Sequence, residues 1–294
     1  MRLSKILAIG LILFLAAGCT GSTGLEKEKN GVINQEAQQI FPYPYQDTSL
    51  HQLYLKHIDS VRQIRIPDLP QPDGYIGKGE IWQTPYYVRE GKTEGPTVLI
   101  LGGTHGHEMA GWIAAQRLLE YRIDVGKVYL IPRINYRAVT ERHRFIPGEK
   151  DLNRCYPGDP TGETTDRLAF DVFEFVKNKK IQILLDLHES FRFHLEGGLG
   201  QTLIIYPNDE TAWIAMAISE SINEGISEPL EKIVILQGPK QGSTAWASGK
   251  FLGIQGYTVE TAIPLPLEKR IEYQILMVRS ILIENGIQLD HDSS

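Results

Sequence analysis

Apolar residues along the chain follow two different spacings. Several short runs are apolar at nearly every position and rich in β-branched residues, which predicts strands buried on both faces of a sheet. These predicted strands are residues 97–101, 128–131, 183–187, 203–206, 233–236 and 257–259. Two further stretches, residues 75–82 and 86–89, predict an antiparallel edge added to the sheet.

Between these runs the apolar residues recur every three or four positions, which is typical of helices with one buried face. The predicted helices are residues 109–121, 166–179 with Thr165 as the N-cap, 210–223, and 267–285. Strands that alternate with helices in this way predict a three-layer α/β/α fold with a mixed, largely parallel central sheet.

The N-terminus has the pattern of an export signal. Arg2 and Lys5 precede an apolar run that ends in small residues before Cys19. We therefore predict a signal peptide at residues 1–18 and a lipidated Cys19 that anchors an exported protein to a membrane of the cell envelope. A plain secretory signal and an uncleaved anchor are the alternatives, and the pattern does not separate an inner from an outer membrane.

The segment after Cys19 is polar and lacks any apolar periodicity. We interpret residues 19–40 as a flexible tether and residues 41–294 as one domain. The 294 residues carry 30 Lys and Arg against 36 Asp and Glu, a net charge of −6, which argues against a nucleic-acid partner. The sequence has two cysteines, which excludes a disulfide-rich scaffold, and it leaves the oligomeric state open.

Potential metal ligands follow two of the predicted strands. The run GGTHGHE, which contains His105 and Glu108, comes directly after the strand at residues 97–101, and DLHES brings His188 to the end of another. In open α/β sheets, ligand sites lie at the carboxyl ends of such strands. Two histidines and a glutamate with an open fourth position are typical of a catalytic zinc site, so we predict one Zn²⁺ per chain. His107 is an alternative to His105.

Four segments in a fixed order resemble the succinylglutamate desuccinylase/aspartoacylase family, which belongs with the carboxypeptidase A-like zinc metallopeptidases. They read GGTHGHE, DLNRCYPG, LDLHE and TVET, and the resemblance covers residues 79–283. It implies that His105, Glu108 and His188 bind zinc and that Glu260 is the catalytic carboxylate. It also implies that Asn153 and Arg154 bind a substrate carboxylate and that Arg144 stabilises the oxyanion.

Several neighbouring residues have more than one interpretation. Arg142 and Arg137 are alternatives to Arg144, because the loop TERHRFIPGEK is rich in arginine. Asp186 is interpreted either as a partner of a metal ligand or as a core carboxylate, and Glu189 as one member of a structural ion pair. Cys155 is interpreted as a packed small side chain rather than a nucleophile.

The expected activity is hydrolysis of an amide bond in a substrate that bears a free carboxylate. A deacylase of N-acyl amino acids is the first hypothesis. A carboxypeptidase or amidase acting on peptides, such as cell-wall peptides, is the second, and a zinc-containing binding lipoprotein without turnover is the third. Desuccinylases and aspartoacylases have a β-rich segment after the catalytic glutamate, whereas 34 residues (294 minus 260) follow Glu260, so we expect a more open pocket.

Overall fold

The computed structural model describes residues 48–291, so the predicted signal peptide, Cys19 and tether lie outside the described residues. Within them, eight strands form one sheet in the order β1-β2-β5-β3-β6-β9-β7-β8. These strands are β1 (Gly74–Ile76), β2 (Thr84–Glu90), β3 (Thr93–Gly102), β5 (Val125–Ile131), β6 (Ile183–Ser190), β7 (Thr202–Ile205), β8 (Val234–Gln237) and β9 (Gln255–Ala262). A short pair, β4 (Tyr121–Ile123) and β10 (Leu289–His291), forms a separate antiparallel ribbon.

The four central strands β5, β3, β6 and β9 run parallel, and the outer pair β7 and β8 is also parallel. Antiparallel pairing joins β7 to β9 and adds β1 and β2 at the opposite edge. The prediction of a mixed, largely parallel sheet with an antiparallel edge is therefore confirmed.

Helices cover both faces of the sheet because alternate side chains of its central strands are apolar on both sides. In β3, Val98 and Ile100 pack in one buried cluster, whereas Leu99 and Leu101 pack in another. The helices are α1 (Thr48–Arg62), α2 (Met109–Arg117), α3 (Tyr136–Glu141), α4 (Thr164–Asn178), α5 (Asp209–Glu224), α6 (Thr244–Leu252) and α7 (Leu267–Glu284). Helices α2, α5 and α7 pack on the first face and α4 and α6 on the second, which confirms the three-layer prediction.

Three local predictions were wrong in detail. Thr165 is not the N-cap of α4, because the helix begins at Thr164 and its N-cap is Glu163, whose backbone N–H donates to the side chain of Asp166. The predicted strand at residues 75–82 is limited to Gly74–Ile76. The predicted helix at residues 109–121 ends at Arg117, and one 3-10 turn leads into β4.

Helices α1, α3 and α6 were not predicted from the sequence. Helix α3 spans less than two turns, and α6 has small side chains in place of a clear apolar stripe. Helix α1 did carry a signal, since its buried residues Tyr54, Ile58 and Val61 recur at helical spacing. Within the described residues, no helix combines the length and the apolar character needed to span a membrane.

Candidate metal centre

The loop between β3 and α2 lies very close to α3. Gly103 has a positive φ of 75°, a conformation that side chains disfavour. At Gly106 a Cβ atom would lie 1.9 Å from the carbonyl oxygen of Ala138, so only glycine fits. These two glycines let the backbone turn sharply and bring His105 and Glu108 to the carboxyl end of the sheet.

Three side chains converge at this edge, as predicted. The Nδ1 atom of His105 lies 2.7 Å from Oε1 of Glu108, and Nδ1 of His188 lies 2.8 Å from Oε2 of the same carboxylate. The two Nδ1 atoms are 3.2 Å apart. All three residues are at most 3% exposed.

This arrangement is compatible with a bound metal ion. Only one of two imidazole nitrogens that face each other can donate a proton to the other, whereas both can bind a cation placed between them. Each of the two nitrogens also faces a carboxylate oxygen of Glu108. Ligand atoms around a four-coordinate ion with bonds of about 2.0–2.1 Å are roughly 3.3 Å apart, close to the 3.2 Å between the two Nδ1 atoms. The group His105, Glu108 and His188 can therefore hold a metal ion.

A second carboxylate lies behind each histidine. Nε2 of His105 is 3.1 Å from Oδ1 of Asp151, and Nε2 of His188 is 3.2 Å from Oδ1 of Asp186. The His105–Asp151 contact has hydrogen-bond geometry, whereas His188 and Asp186 form an ion pair without it. Carboxylate–histidine pairs of this kind orient an imidazole whose other nitrogen binds metal. Asp186 is held in turn by the hydroxyls of Thr104 and Thr244.

The charges around His105, Glu108 and His188 favour a cation at this position. Burial by itself would raise the pKa of Glu108, but His105 and His188 hold this pKa well below its usual range. Burial also opposes ionisation of His188, yet Asp186 and Glu108 raise its pKa well above the usual value. The carboxylates thus stabilise positive charge at the point where the two Nδ1 atoms meet.

Glu260 lies beside this group on β9, in register with His188 on β6. It is 7% exposed, and its Oε2 atom has no hydrogen-bond partner among the described residues. Burial raises the pKa of Glu260 to about 8. A buried carboxylate oxygen without a protein partner is available to a substrate or a water molecule.

The structure separates the three candidate arginines. Arg144 donates two hydrogen bonds to Oδ2 of Asp151, at 3.1 and 2.9 Å, and its Nη1 atom lies 3.6 Å from Oε1 of Glu108. Arg142 instead donates to backbone carbonyls and stacks over Trp112, and Arg137 pairs with Glu149. Only Arg144 of the three contacts the candidate metal centre.

Asn153 and Arg154 lie in a 3-10 turn, Leu152–Arg154, at the edge of the same cavity. The Oδ1 atom of Asn153 is buried and has no hydrogen-bond partner in the described part of the chain. The Nη1 atom of Arg154 donates to the carbonyl of Asn153, 2.6 Å away. Both residues therefore face the cavity that contains the predicted metal ligands.

This cavity has a volume of about 180 Å³ and brings all the predicted site residues of the domain together. Besides the predicted site residues, the lining includes apolar side chains such as Leu199 and Ile204 and the cationic Lys240. The lining residues are His105, Glu108, Arg144, Asn153, Arg154, His188, Glu189, Ser190, Leu199, Ile204, Pro239, Lys240, Ser243, Thr258 and Glu260.

His107 does not join the ligand group. Its imidazole is 1% exposed and stacks on Phe191, with ring centroids 5.7 Å apart. Glu189 forms a buried ion pair with Arg270 and accepts a hydrogen bond from the backbone of Ala110, as its structural interpretation predicts.

Residues 94–267, more than half of the chain, match the model of the succinylglutamate desuccinylase/aspartoacylase catalytic domain. The chain belongs to this family. The match includes every predicted site residue of the domain, from His105 to Glu260.

Two curated relatives are named as a deacetylase and an amidohydrolase. The chain is 38% identical over 118 residues to the N-α-acetyl-L-2,4-diaminobutyric acid deacetylase of Halomonas elongata. The aligned segment covers 39% of this chain and 32% of the deacetylase. It is 28% identical over 158 residues to N-acyl-aromatic-L-amino acid amidohydrolase B of Danio rerio, 48% of each chain. The matched segments thus span half or less of these relatives.

Solved structures support the fold. Cell shape determinant protein Csd4 of Helicobacter pylori superimposes with a TM-score of 0.65 at 18% identity, over 72% of this chain and 56% of Csd4. The succinylglutamate desuccinylase/aspartoacylase of Rhodobacter sphaeroides gives a TM-score of 0.54 at 22% identity, over 70% of this chain and 60% of the other.

Asp151 lies between two predicted site residues, although the sequence patterns indicated no role for it. Its Oδ1 atom faces His105 and its Oδ2 atom faces Arg144. Burial by itself would raise the pKa of Asp151, but the neighbouring His105 and Arg144 lower it below its usual value. A signal was present, because Asp151 is the first residue of the segment DLNRCYPG, which also contains Asn153 and Arg154.

Proposed function

We propose that this protein is a zinc-dependent hydrolase that cleaves an amide bond in a substrate with a free carboxylate. The observation that carries the proposal is the convergence of His105, Glu108 and His188 in one cavity with Glu260. The family match supports hydrolysis, and a site of two imidazoles and one carboxylate is typical of catalytic zinc.

His105, Glu108 and His188 would hold the zinc ion, which when bound would supply Lewis-acid polarisation of the scissile carbonyl and would lower the pKa of a water molecule. Glu260 then has the central role in proton transfer. With its pKa lowered by a cation at the ligand group, Glu260 accepts one proton from the attacking water, whose oxygen bonds to the carbonyl carbon, and donates that proton to the leaving nitrogen as the C–N bond breaks. The second proton of the water also passes to the amine, so the products are a carboxylate and an ammonium group.

The arginines and Asn153 bind charge on the substrate. Arg144, which lies beside Glu108, is placed to stabilise the negative charge that develops on the carbonyl oxygen. Arg154 offers a planar pair of donors to the substrate carboxylate, and Asn153 adds a directional amide next to it. The reacting bond is thereby oriented relative to Glu260.

The first candidate substrates are N-acyl amino acids. The two curated relatives described above are named for deacylation of an acetylated or acylated amino acid. A single amino acid with a short acyl group is also compatible in size with a cavity of about 180 Å³.

The second candidate is cleavage of peptides, such as cell-wall peptides, by a carboxypeptidase or amidase. Leu199 and Ile204 give the cavity an apolar wall that can receive a residue of a longer substrate. Csd4, which shares the fold, has been solved with a bound tripeptide and is described as a D,L-carboxypeptidase. The export signal predicted from the sequence also favours a substrate in the cell envelope.

A panel experiment separates these candidates. The full-length chain, purified in detergent and loaded with zinc, is incubated with N-acyl amino acids and short peptides, and the products are identified by mass spectrometry. Release of amino acids from the acylated substrates supports the deacylase, whereas trimming of peptides supports the carboxypeptidase. If substrates of neither class are cleaved, the result contradicts the proposed hydrolase and favours a zinc-containing binding protein.

The membrane location is proposed separately, from the sequence pattern that ends at Cys19. Lipidation of this residue would anchor the domain to the cell envelope through residues 19–40. The test is metabolic labelling with a fatty acid, followed by fractionation of cells that express the parent or Cys19→Ser. We expect Cys19→Ser to lose both the label and the membrane association, and equal labelling of the two chains would contradict the proposal.

A further inference from the structure

Helix α1 lies outside the residues that match the family model, yet it packs against the candidate metal centre. The family match begins at residue 94, whereas α1 spans Thr48–Arg62. Its buried face belongs to one apolar cluster with α2, α3 and the residue that follows β6. The members of this cluster are Tyr54, Ile58, Val61, Met109, Trp112, Val139 and Phe191.

The polar contact in this interface reaches the metal-binding loop itself. Nε2 of His57 donates a hydrogen bond of 2.8 Å to the carbonyl oxygen of His107. The donor must be the imidazole, since a carbonyl oxygen can only accept. His57 is 6% exposed, so water does not compete for this bond. The bond therefore fixes a peptide that lies between the predicted ligands His105 and Glu108.

The ring of His107 extends the same contact to the second ligand segment. It stacks on Phe191, which follows His188 by three residues, and Tyr54 of α1 approaches its edge at 5.5 Å between ring centroids. Helix α1 thus contacts the two segments that contribute the three ligands.

The C-terminal end of α1 is anchored independently of these contacts. The guanidinium of Arg142 donates to the carbonyl of Ile64 at 2.8 Å and to that of Val139 at 2.6 Å, and it lies 5.4 Å from the ring centre of Trp112. Helix α1 is therefore held at its end as well as along its buried face. The position of the His57 side chain is fixed by these contacts of its helix.

We propose that α1 is part of the metal centre of this chain and that His57 is a positioning residue for the metal-binding loop. By fixing the carbonyl of His107, His57 holds His105 and Glu108 in the separation that a metal ion requires. The inference rests on the proposed metal site, but it concerns a helix that lies outside the family match.

Loss of the His57 hydrogen bond is expected to weaken metal binding. Residues that orient metal ligands typically change affinity by 10- to 100-fold when they are replaced. Since His57 acts through the backbone, we expect the lower end, a rise of about tenfold in the dissociation constant for zinc.

The test compares three variants of the full-length chain in a titration against a competing chelator that reports free zinc. His57→Met removes the donor, His57→Gln retains an amide donor near the position of Nε2, and Ile58→Ala removes packing on the same helix. We expect a tenfold rise in the zinc dissociation constant for His57→Met and a value within twofold of the parent for His57→Gln. Thermal unfolding of each metal-free variant gives its stability.

An unchanged dissociation constant in His57→Met overturns the inference. So does an equal rise in Ile58→Ala, because the effect would then follow stability alone. If His57→Met does not fold, His57→Asn, whose shorter amide cannot reach the carbonyl of His107, takes its place. A parent chain that binds no zinc would instead contradict the proposed function, so the two failures are distinguishable.

Discussion

Glu260 lies directly opposite His188 in the paired parallel strands β9 and β6. Adjacent parallel strands are about 4.8 Å apart, so this register brings the carboxylate and the imidazole to the same edge of the sheet. The ligand and the proposed proton carrier are therefore positioned by the hydrogen bonds of the sheet rather than by a flexible loop.

Replacement of Glu260 by glutamine is expected to lower kcat by 10²- to 10⁴-fold, because the amide cannot accept the proton of the attacking water. The zinc content is expected to stay at the parent level, since Glu260 is not among the predicted ligands. Steady-state kinetics and metal analysis of the same preparation check both statements. A variant with near-parent kcat would contradict the proposed role.

Replacement of Asp186 by asparagine is expected to weaken zinc binding by 10- to 100-fold. The carboxylate lies 3.2 Å from Nε2 of His188 and orients the imidazole that presents Nδ1 to the metal. Competition with a chelator measures the change. Asp59→Asn, an exposed position on α1, serves as the control and should bind zinc as the parent does.

Cys155 is expected to react very slowly with alkylating reagents in the native protein. Burial, together with the neighbouring Asp166, raises the pKa of its thiol to about 12, so roughly one molecule in ten thousand carries a thiolate at pH 8. Quantification of the alkylated Cys155 peptide by mass spectrometry gives the rate. We expect at least a hundredfold increase after unfolding in urea, and rapid modification of the native chain would contradict the expectation.

The ligand positions could be predicted from the sequence because they depend on a general rule. His105 and Glu108 follow the buried strand β3, His188 lies near the carboxyl end of the buried strand β6, and the carboxyl ends of parallel strands meet at one edge of the sheet. The strands themselves were recognisable from nearly continuous apolar runs.

The contacts around the ligands could not be predicted, because they depend on the paths of loops. Among the arginines of one loop, Arg142 adopts a positive φ of 60° and turns toward Trp112, whereas Arg144 reaches Glu108. The hydrogen bond of His57 joins residues 50 positions apart, and no spacing in the sequence indicates it.

A buried ion pair beneath the site gives a stability prediction with a matched control. Arg270 of α7 pairs with Glu189, and both side chains are less than 8% exposed. Arg117 of α2 pairs with Glu268 of the same helix α7, but that pair is largely exposed. The two pairs have the same chemistry and differ in burial.

Arg270→Met is expected to lower the free energy of unfolding by about 3–5 kcal/mol, because it leaves the carboxylate of Glu189 buried without a counter-charge. Arg117→Met is expected to cost less than about 1 kcal/mol, because water solvates the remaining carboxylate. Urea unfolding of both variants measures the difference. The double variant Arg270→Met with Glu189→Gln should recover part of the loss, since it removes the unpaired charge. Equal destabilisation by Arg270→Met and Arg117→Met would show that burial does not determine the contribution of these pairs.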